Sequence, residues 1–480
     1  FMSSLQQGSF ENMVDNMEHW DLSKLYTSFD SIEFQNDFKY VDELIVKANE
    51  FIPRFSSNEP FETVVEDYLV FDAEVNTHVR KMYSFISLNQ STNTTDQQSG
   101  MYGVQMQKKL SNFTQADTLF SKYIATCEEV EKLVNSSDFL KEHKFLVEEM
   151  IRKNKYVLDD QTETLLSQLN QSSGSLWGRL QSVLTSTLEV EYDGKILTLP
   201  EVINLSEDTD PEVRKNAYYA ELESYKKIDK AVAFALNGIK GQVNTMTTKR
   251  GYNGALGQAL EYSRMSKETL DAMIGAMTDY LPEFRKYLKR KAELLGHKNG
   301  LPFYDLSAPL GSSAKEFSIE EAQNYILKNF GTFSDHLKDL AQRAFDNNWI
   351  DYRSYKGKVG GAFCANIHPI KESRVLLNMT GSFGDVITMA HELGHAYHGD
   401  NIFSNTILNS SYTMPVAETA STFCETIVMK AALKDATKEE QLYLLDSDLQ
   451  GSTAIIVDIL SRFIFENAVF EGNKTNFLDE

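Results

Sequence analysis

His391, Glu392 and His395 are the residues of this 480-residue chain whose types and spacing most directly suggest chemistry. On a helix, two residues four apart lie within about 40° of each other around the axis and about 6 Å apart along it, so one divalent ion can meet both imidazoles. Glu392 projects beside that face. A carboxylate there, if it is not itself a ligand, can take a proton from an activated water and later pass it to a leaving amine. The chain has only nine His, and a chance match to this pattern is on the order of one in a hundred. The plainer alternative is a solvated helix with two surface imidazoles.

A catalytic zinc ion usually keeps three protein ligands and one open position, so a third donor is required. His398, seven residues beyond His391, shares its face but has risen about 10 Å along the axis. One ion cannot comfortably meet all three His, so His398 is expected to line the cavity beside the ligands. The second candidate is Pro415-Val416-Ala417-Glu418-Thr419-Ala420-Ser421-Thr422-Phe423-Cys424-Glu425, where Pro leads into a helical run. Glu418 and Glu425 share one face. Glu418 near the start can ligate zinc, and Glu425 two turns on can hydrogen-bond a ligand imidazole and fix its tautomer. A solvated acidic face is the alternative. Imidazole and carboxylate donors suit zinc, one ion per chain, although cobalt or manganese could occupy the same geometry.

The elements that would position these residues are mostly helical. Ser31 is a cap for a helix to about Arg54, with Ile32, Phe34, Phe38, Val41, Leu44 and Ile45 at helical spacing. A second pattern runs from Phe61 to Ile86 and is expected to break at the polar run Asn89–Thr95, read as an exposed loop. Helical patterns fill about residues 101 to 187. Leu188–Leu199 alternates about Asp193-Gly194, which predicts a hairpin with a type I′ turn. That hairpin is taken as the boundary between an N-terminal helical lobe, 1–189, and a catalytic lobe, 190–480, with a hairpin inside one continuous domain as the alternative. Helices resume at Asp210-Pro211-Glu212 and continue to about Leu295, with a Gly-containing loop at Lys249–Gly254 that could be a solvated turn or a substrate contact. Two more follow, about Ile319 to Phe330 and Phe333 to Asn348. Gly360–Ile367 and Arg374–Met379, separated by His368-Pro369, read as two strands ahead of the metal helix. Their edge could pair with an extended peptide backbone.

Composition narrows the partners. A formal charge of -22 argues against nucleic acid and anionic membrane surfaces. Cys127, Cys364 and Cys424 are odd in number and widely separated, which indicates neither a disulfide framework nor a thiolate metal site and fits a reducing interior. Phe1–Gly8 lacks a basic stretch followed by an apolar one, and no apolar run approaches a membrane span, so a cytoplasmic location is expected. Oligomeric state is not legible.

His391–His398, preceded by Gly381-Ser382-Phe383-Gly384-Asp385 and followed by Pro415–Ser421, resembles the oligoendopeptidase F branch of the thimet-oligopeptidase family. Weaker echoes are Trp20–Tyr26 and Tyr304–Pro309. The resemblance implies a mainly α, clam-like metallopeptidase whose two lobes enclose a deep channel. It implies His391, His395 and Glu418 as zinc ligands, Glu392 as general base, and short unstructured oligopeptides as substrates. It also implies that Gly360, Gly361, Ala362 and Phe363 belong to the strand that binds substrate backbone.

In that family a further helical segment follows the region matching Phe463–Glu480 and contributes a His and Tyr residues that hydrogen-bond the tetrahedral oxyanion. The resemblance therefore implies a truncated chain. Three activities are compatible with these residues: a zinc endopeptidase for oligopeptides, a zinc carboxypeptidase or dipeptidase on a similar shell, and a catalytically incomplete fragment that binds peptide and metal.

Overall fold

The computed structural model describes residues 18–311, 316–355 and 357–479; the opening Phe1–Gly8 read above lies outside them. Tertiary contacts divide the chain into two units, Phe1–Asp160 with Ala314–Lys434 and Gln161–Ser313 with Asp435–Glu480. The hairpin at Leu188–Leu199 lies inside the second unit.

In the first unit, Ser31 caps a helix over Ile32–Phe51, its hydroxyl accepting from the Phe34 N–H at 3.3 Å. Phe34, Val41, Leu44 and Ala48 are fully buried on one face. They pack on the helix Phe61–Thr92, whose Phe85 meets Tyr26, Phe29 and Phe34 with ring centroids 4.9 to 5.8 Å apart. Such aromatic pairs add about 0.5–1.5 kcal/mol each beyond their burial.

The polar run expected to be a loop from Asn89 is helical as far as Thr92. Its side chains bond back onto the helix: Asn89 Nδ2 donates to the Phe85 carbonyl at 2.7 Å and Ser91 Oγ to that of Ser87 at 2.8 Å. The Ser91 carbonyl is then met by the Val359 N–H at 2.9 Å, so a tertiary contact supplies what local composition does not.

The sheet of this unit has three strands rather than the two expected. Glu372–Met379 is central and largely buried, Ile350–Arg353 runs parallel on one side, and Phe363–Ile367 runs antiparallel on the other. Phe363 pairs with Leu376 and Ile367 with Glu372. Gly360, Gly361 and Ala362 fall before the strand, in a bend that Gly361 takes at φ 79°. Asn378 Nδ2 holds that bend by donating to the carbonyls of Val359 at 3.0 Å and Gly361 at 2.8 Å. The sequence Trp20–Tyr26 finds a use here. Arg374, buried in the central strand, donates from Nε to the Asp21 carbonyl at 2.7 Å, and Trp20 lies 6.2 Å from the Phe363 ring.

The sheet carries the helix Phe383–Ile402. Ser382 and Asp385 form a reciprocal cap, and Asp385 Oδ2 accepts from the backbone N–H groups of Thr380, Gly381 and Ser382 at 2.8 to 2.9 Å. Val386, Met389, Ala390, Leu393 and Ala396 are fully buried, which leaves the His391 and His395 side half-buried.

The second unit contains the expected hairpin, Glu189–Tyr192 against Lys195–Thr198, turning through Asp193 at φ 49° and Gly194 at φ 71°. Asp210 caps the helix Pro211–Tyr225, and Gly251 ends the helix Asp229–Arg250 in the left-handed conformation. The Tyr304–Pro309 echo contains Asp305, buried between Arg214 Nε at 2.8 Å and His297 Nε2 at 2.6 Å. No helix among the described residues is long and apolar enough to cross a membrane.

Candidate metal centre

The helix Phe383–Ile402 presents His391 and His395 one turn apart, with ring centroids 4.8 Å apart. The short turn Met414–Ala417 then places Glu418 at the mouth of the helix Thr419–Asp435. Glu418 Oε2 stands 3.2 Å from His391 Nε2 and 3.3 Å from His395 Nε2. One donor atom from each residue lies within 4.8 Å of the others.

These residues fit a divalent cation on geometry as well as chemistry. Two donors each about 2.0–2.1 Å from one ion, at the tetrahedral angle, stand about 3.3 Å apart. Both His–Glu separations match that edge. Glu418 is held by Ser421, whose hydroxyl donates to its Oε2 at 2.7 Å. Glu425 lies 2.5 Å from His391 Nδ1. An imidazole that donates from Nδ1 must offer Nε2 as its lone-pair donor, so Glu425 selects the tautomer that faces Glu418.

Glu392 lies beside this group. It is buried, and its Oε2 has no hydrogen-bond partner among the described residues. Burial pushes its carboxyl up to about 7, with the charges of Glu418 and Glu425 adding to the shift and His391 opposing it. A cation held by the neighbouring ligands would favour the charged form. The Glu418 carboxyl sits below its ordinary range: burial raises it, but the Ser421 hydrogen bond and the two imidazoles outweigh burial. The Glu425 bond raises His391, whereas burial lowers His395.

His398 is not part of the three-residue group, although its charge is felt by His395. Its ring packs on Tyr412 with centroids 4.4 Å apart, and its Nδ1 is buried without a partner among the described residues. The structure thus brings together His391, His395, Glu418 and Glu425. It places Glu392 beside them and His398 about one turn beyond His395 on the same helix.

Several residues that shape this site escape the sequence patterns. A Cβ on Gly394 would stand 2.6 Å from the Ser421 Cα, so the two helices meet backbone to backbone where Glu418 must reach the His pair. A Cβ on Gly399 would stand 2.3 Å from the Asn366 carboxamide. Glycines inside a helix cost about 1 kcal/mol each relative to Ala, and that cost is the signal that could have marked these close approaches.

A mainly helical fold, a small sheet and a His-His-Glu group with an adjacent buried carboxylate define a protein built like a metallopeptidase. The sequence pattern of Peptidase family M3 matches residues 204–470, more than half of the chain, and that described as Oligopeptidase F matches residues 126–189. The chain belongs to peptidase family M3.

Among relatives, it is 23% identical to Oligopeptidase PepF of Bacillus subtilis (strain 168), over 90% of this chain and 65% of that protein. It is likewise 23% identical to Group B oligopeptidase PepB of Streptococcus agalactiae, over 96% of this chain and 78% of that one. The chain therefore spans about two thirds to four fifths of the length of these relatives. In structure it is similar to a putative peptidase from Chlamydophila abortus, with a TM-score of 0.74 at 20% identity, covering 95% of this chain and 77% of that one. An oligoendopeptidase-F from Enterococcus faecium gives 0.65 at 17%, covering 92% and 75%. At these identities the structural likeness speaks to the fold alone.

Proposed function

We propose that the chain is a zinc-dependent oligopeptidase that hydrolyses internal bonds of short, unstructured peptides. The observation that carries this reading is the spacing of Glu418 Oε2, 3.2 and 3.3 Å from the two imidazole Nε2 atoms, beside a buried carboxylate whose Oε2 has no partner among the described residues. His391, His395 and Glu418 would hold the ion. When bound, zinc would polarise the scissile carbonyl and make water a stronger acid.

This chain's residues do the rest. Glu392 takes a proton from the attacking water as its oxygen bonds to the carbonyl carbon, then gives that proton to the amine nitrogen as the C–N bond breaks. Its burial suits a group that must be both base and acid. Glu425 keeps the His391 ring oriented. The strand Phe363–Ile367 pairs on one side only among the described residues. Its other edge, with the bend at Gly360–Ala362 leading into it, offers N–H and C=O groups to a substrate backbone without selecting side chains.

The test is a peptide of about eight residues, blocked at both ends and internally quenched, with product masses read after incubation. Internal cuts that stop on chelation and return with zinc support the proposal. Release of terminal residues only, from unblocked peptides, would support a carboxypeptidase instead. Peptide binding without any cut would describe a fragment that binds but does not turn over.

A further inference from the structure

Asn366 makes three side-chain hydrogen bonds at the junction of the substrate-facing strand and the metal helix. Its Nδ2 donates to the His395 carbonyl at 3.1 Å, and its Oδ1 accepts from Ser373 Oγ at 2.7 Å and from Cys364 Sγ at 3.6 Å. The Tyr412 hydroxyl lies beside it. A carboxamide has two N–H donors and one oxygen with two lone pairs, so both lone pairs and one N–H are used here. Its orientation is also fixed, because a backbone carbonyl can only accept. On the helix side it lies where any Gly399 side chain would stand, 2.3 Å from a Cβ placed there. The same Tyr412 carries His398 on its ring at 4.4 Å.

None of these groups is one of the candidate ligand side chains. The carboxamide instead joins the Phe363–Ile367 strand to the backbone of the helix that carries the His pair, through a carbonyl belonging to His395 itself. A peptide held on that strand is thereby set at a fixed offset from the ion its carbonyl must meet. Errors of about 1 Å in such an offset can cost about a hundredfold in rate.

We propose that Asn366 is a positioning residue: with Gly399 it clasps the substrate strand to the metal helix and sets the register between a bound peptide backbone and the metal. The proposal rests on the oligopeptidase reading for its substrate, but it can be tested without turnover. The probes are acetohydroxamate, which needs only the metal, and a short blocked peptide hydroxamate, which must span metal and strand together. Both are titrated into zinc-loaded chain by calorimetry.

The clasp predicts that Asn366→Ala weakens the peptide hydroxamate about tenfold and leaves acetohydroxamate within about twofold, since only the former depends on the spacing of two sites. Gly399→Ala should act alike in the wild-type background and add no further loss to Asn366→Ala, where the clashing carboxamide is gone. Equal weakening of both probes, no weakening of either, or additive losses would overturn the clasp. A wild-type chain that binds both probes but cuts nothing would overturn the hydrolytic reading alone. One that binds neither would overturn both.

Discussion

Gly394 and Ser421 meet backbone to backbone, close enough that a Cβ on Gly394 would stand 2.6 Å from the Ser421 Cα and 2.7 Å from the Ala420 carbonyl oxygen. Neither atom can move without moving the helix that begins just after Glu418. Gly394→Ala should therefore cost about 1–3 kcal/mol of stability through overpacking. Zinc affinity should fall with it, by about tenfold or more, because Glu418 shifts away from both imidazoles. Chelator competition measures the affinity, and an unchanged value would show that Glu418 is not positioned by this contact.

Glu425 touches His391 only on the nitrogen that faces away from Glu418. Glu425→Ala should weaken zinc about 10–100-fold while leaving the three donors in place. Chelator competition applies again. Wild-type affinity in the variant would remove Glu425 from the account.

Asp385 gives a prediction with a pH sign. Burial pushes its carboxyl up, but hydrogen bonds from the backbone N–H groups of Thr380, Ser382 and Gly381 and from the Thr380 hydroxyl outweigh burial and hold it below the ordinary range. A depressed folded-state pKa contributes stability that is present above the unfolded value, about 3.9, and is lost as pH falls through the folded value. Asp385→Asn should cost about 1–3 kcal/mol at pH 7. The gap between wild type and variant should narrow only below about pH 4. Urea unfolding between neutral pH and pH 3.5 reads this directly, and a gap that stays constant through that window would contradict it.

Zinc itself should stabilise the fold. At a free concentration 100 times its Kd, an ion that binds only the native state adds about 2.7 kcal/mol. The melting temperature of chelated protein should rise on zinc addition, and the rise should be lost in His395→Ala.

Much of this was legible in the sequence because it is local. His391, Glu392 and His395 are ordered by helical spacing alone, and Glu425 stands two turns along a second helix that begins just after Glu418. Ser31, Asp193-Gly194 and Asp210 mark their element boundaries through cap and turn chemistry that needs no partner. What stayed hidden depends on residues far apart in the chain. Asn89–Thr92 look like a loop until Val359 supplies the N–H that the Ser91 carbonyl meets. Ile350–Arg353 is too short to show a period, and it pairs in parallel with Val375 and Leu376. Gly394 against Ser421, and Asn366 against Gly399, are contacts between elements, and no pattern within either element encodes them.

In the proposed reaction Glu392 moves the proton while the His pair and Glu418 would hold the ion. Glu392→Gln keeps the size of the side chain and removes the base, so zinc content and cleavage of the doubly blocked quenched peptide are read together in that variant. One zinc per chain is expected, with affinity near that of wild type, and cleavage lowered by about a hundredfold or more. Zinc-dependent cleavage persisting near the wild-type rate would contradict it.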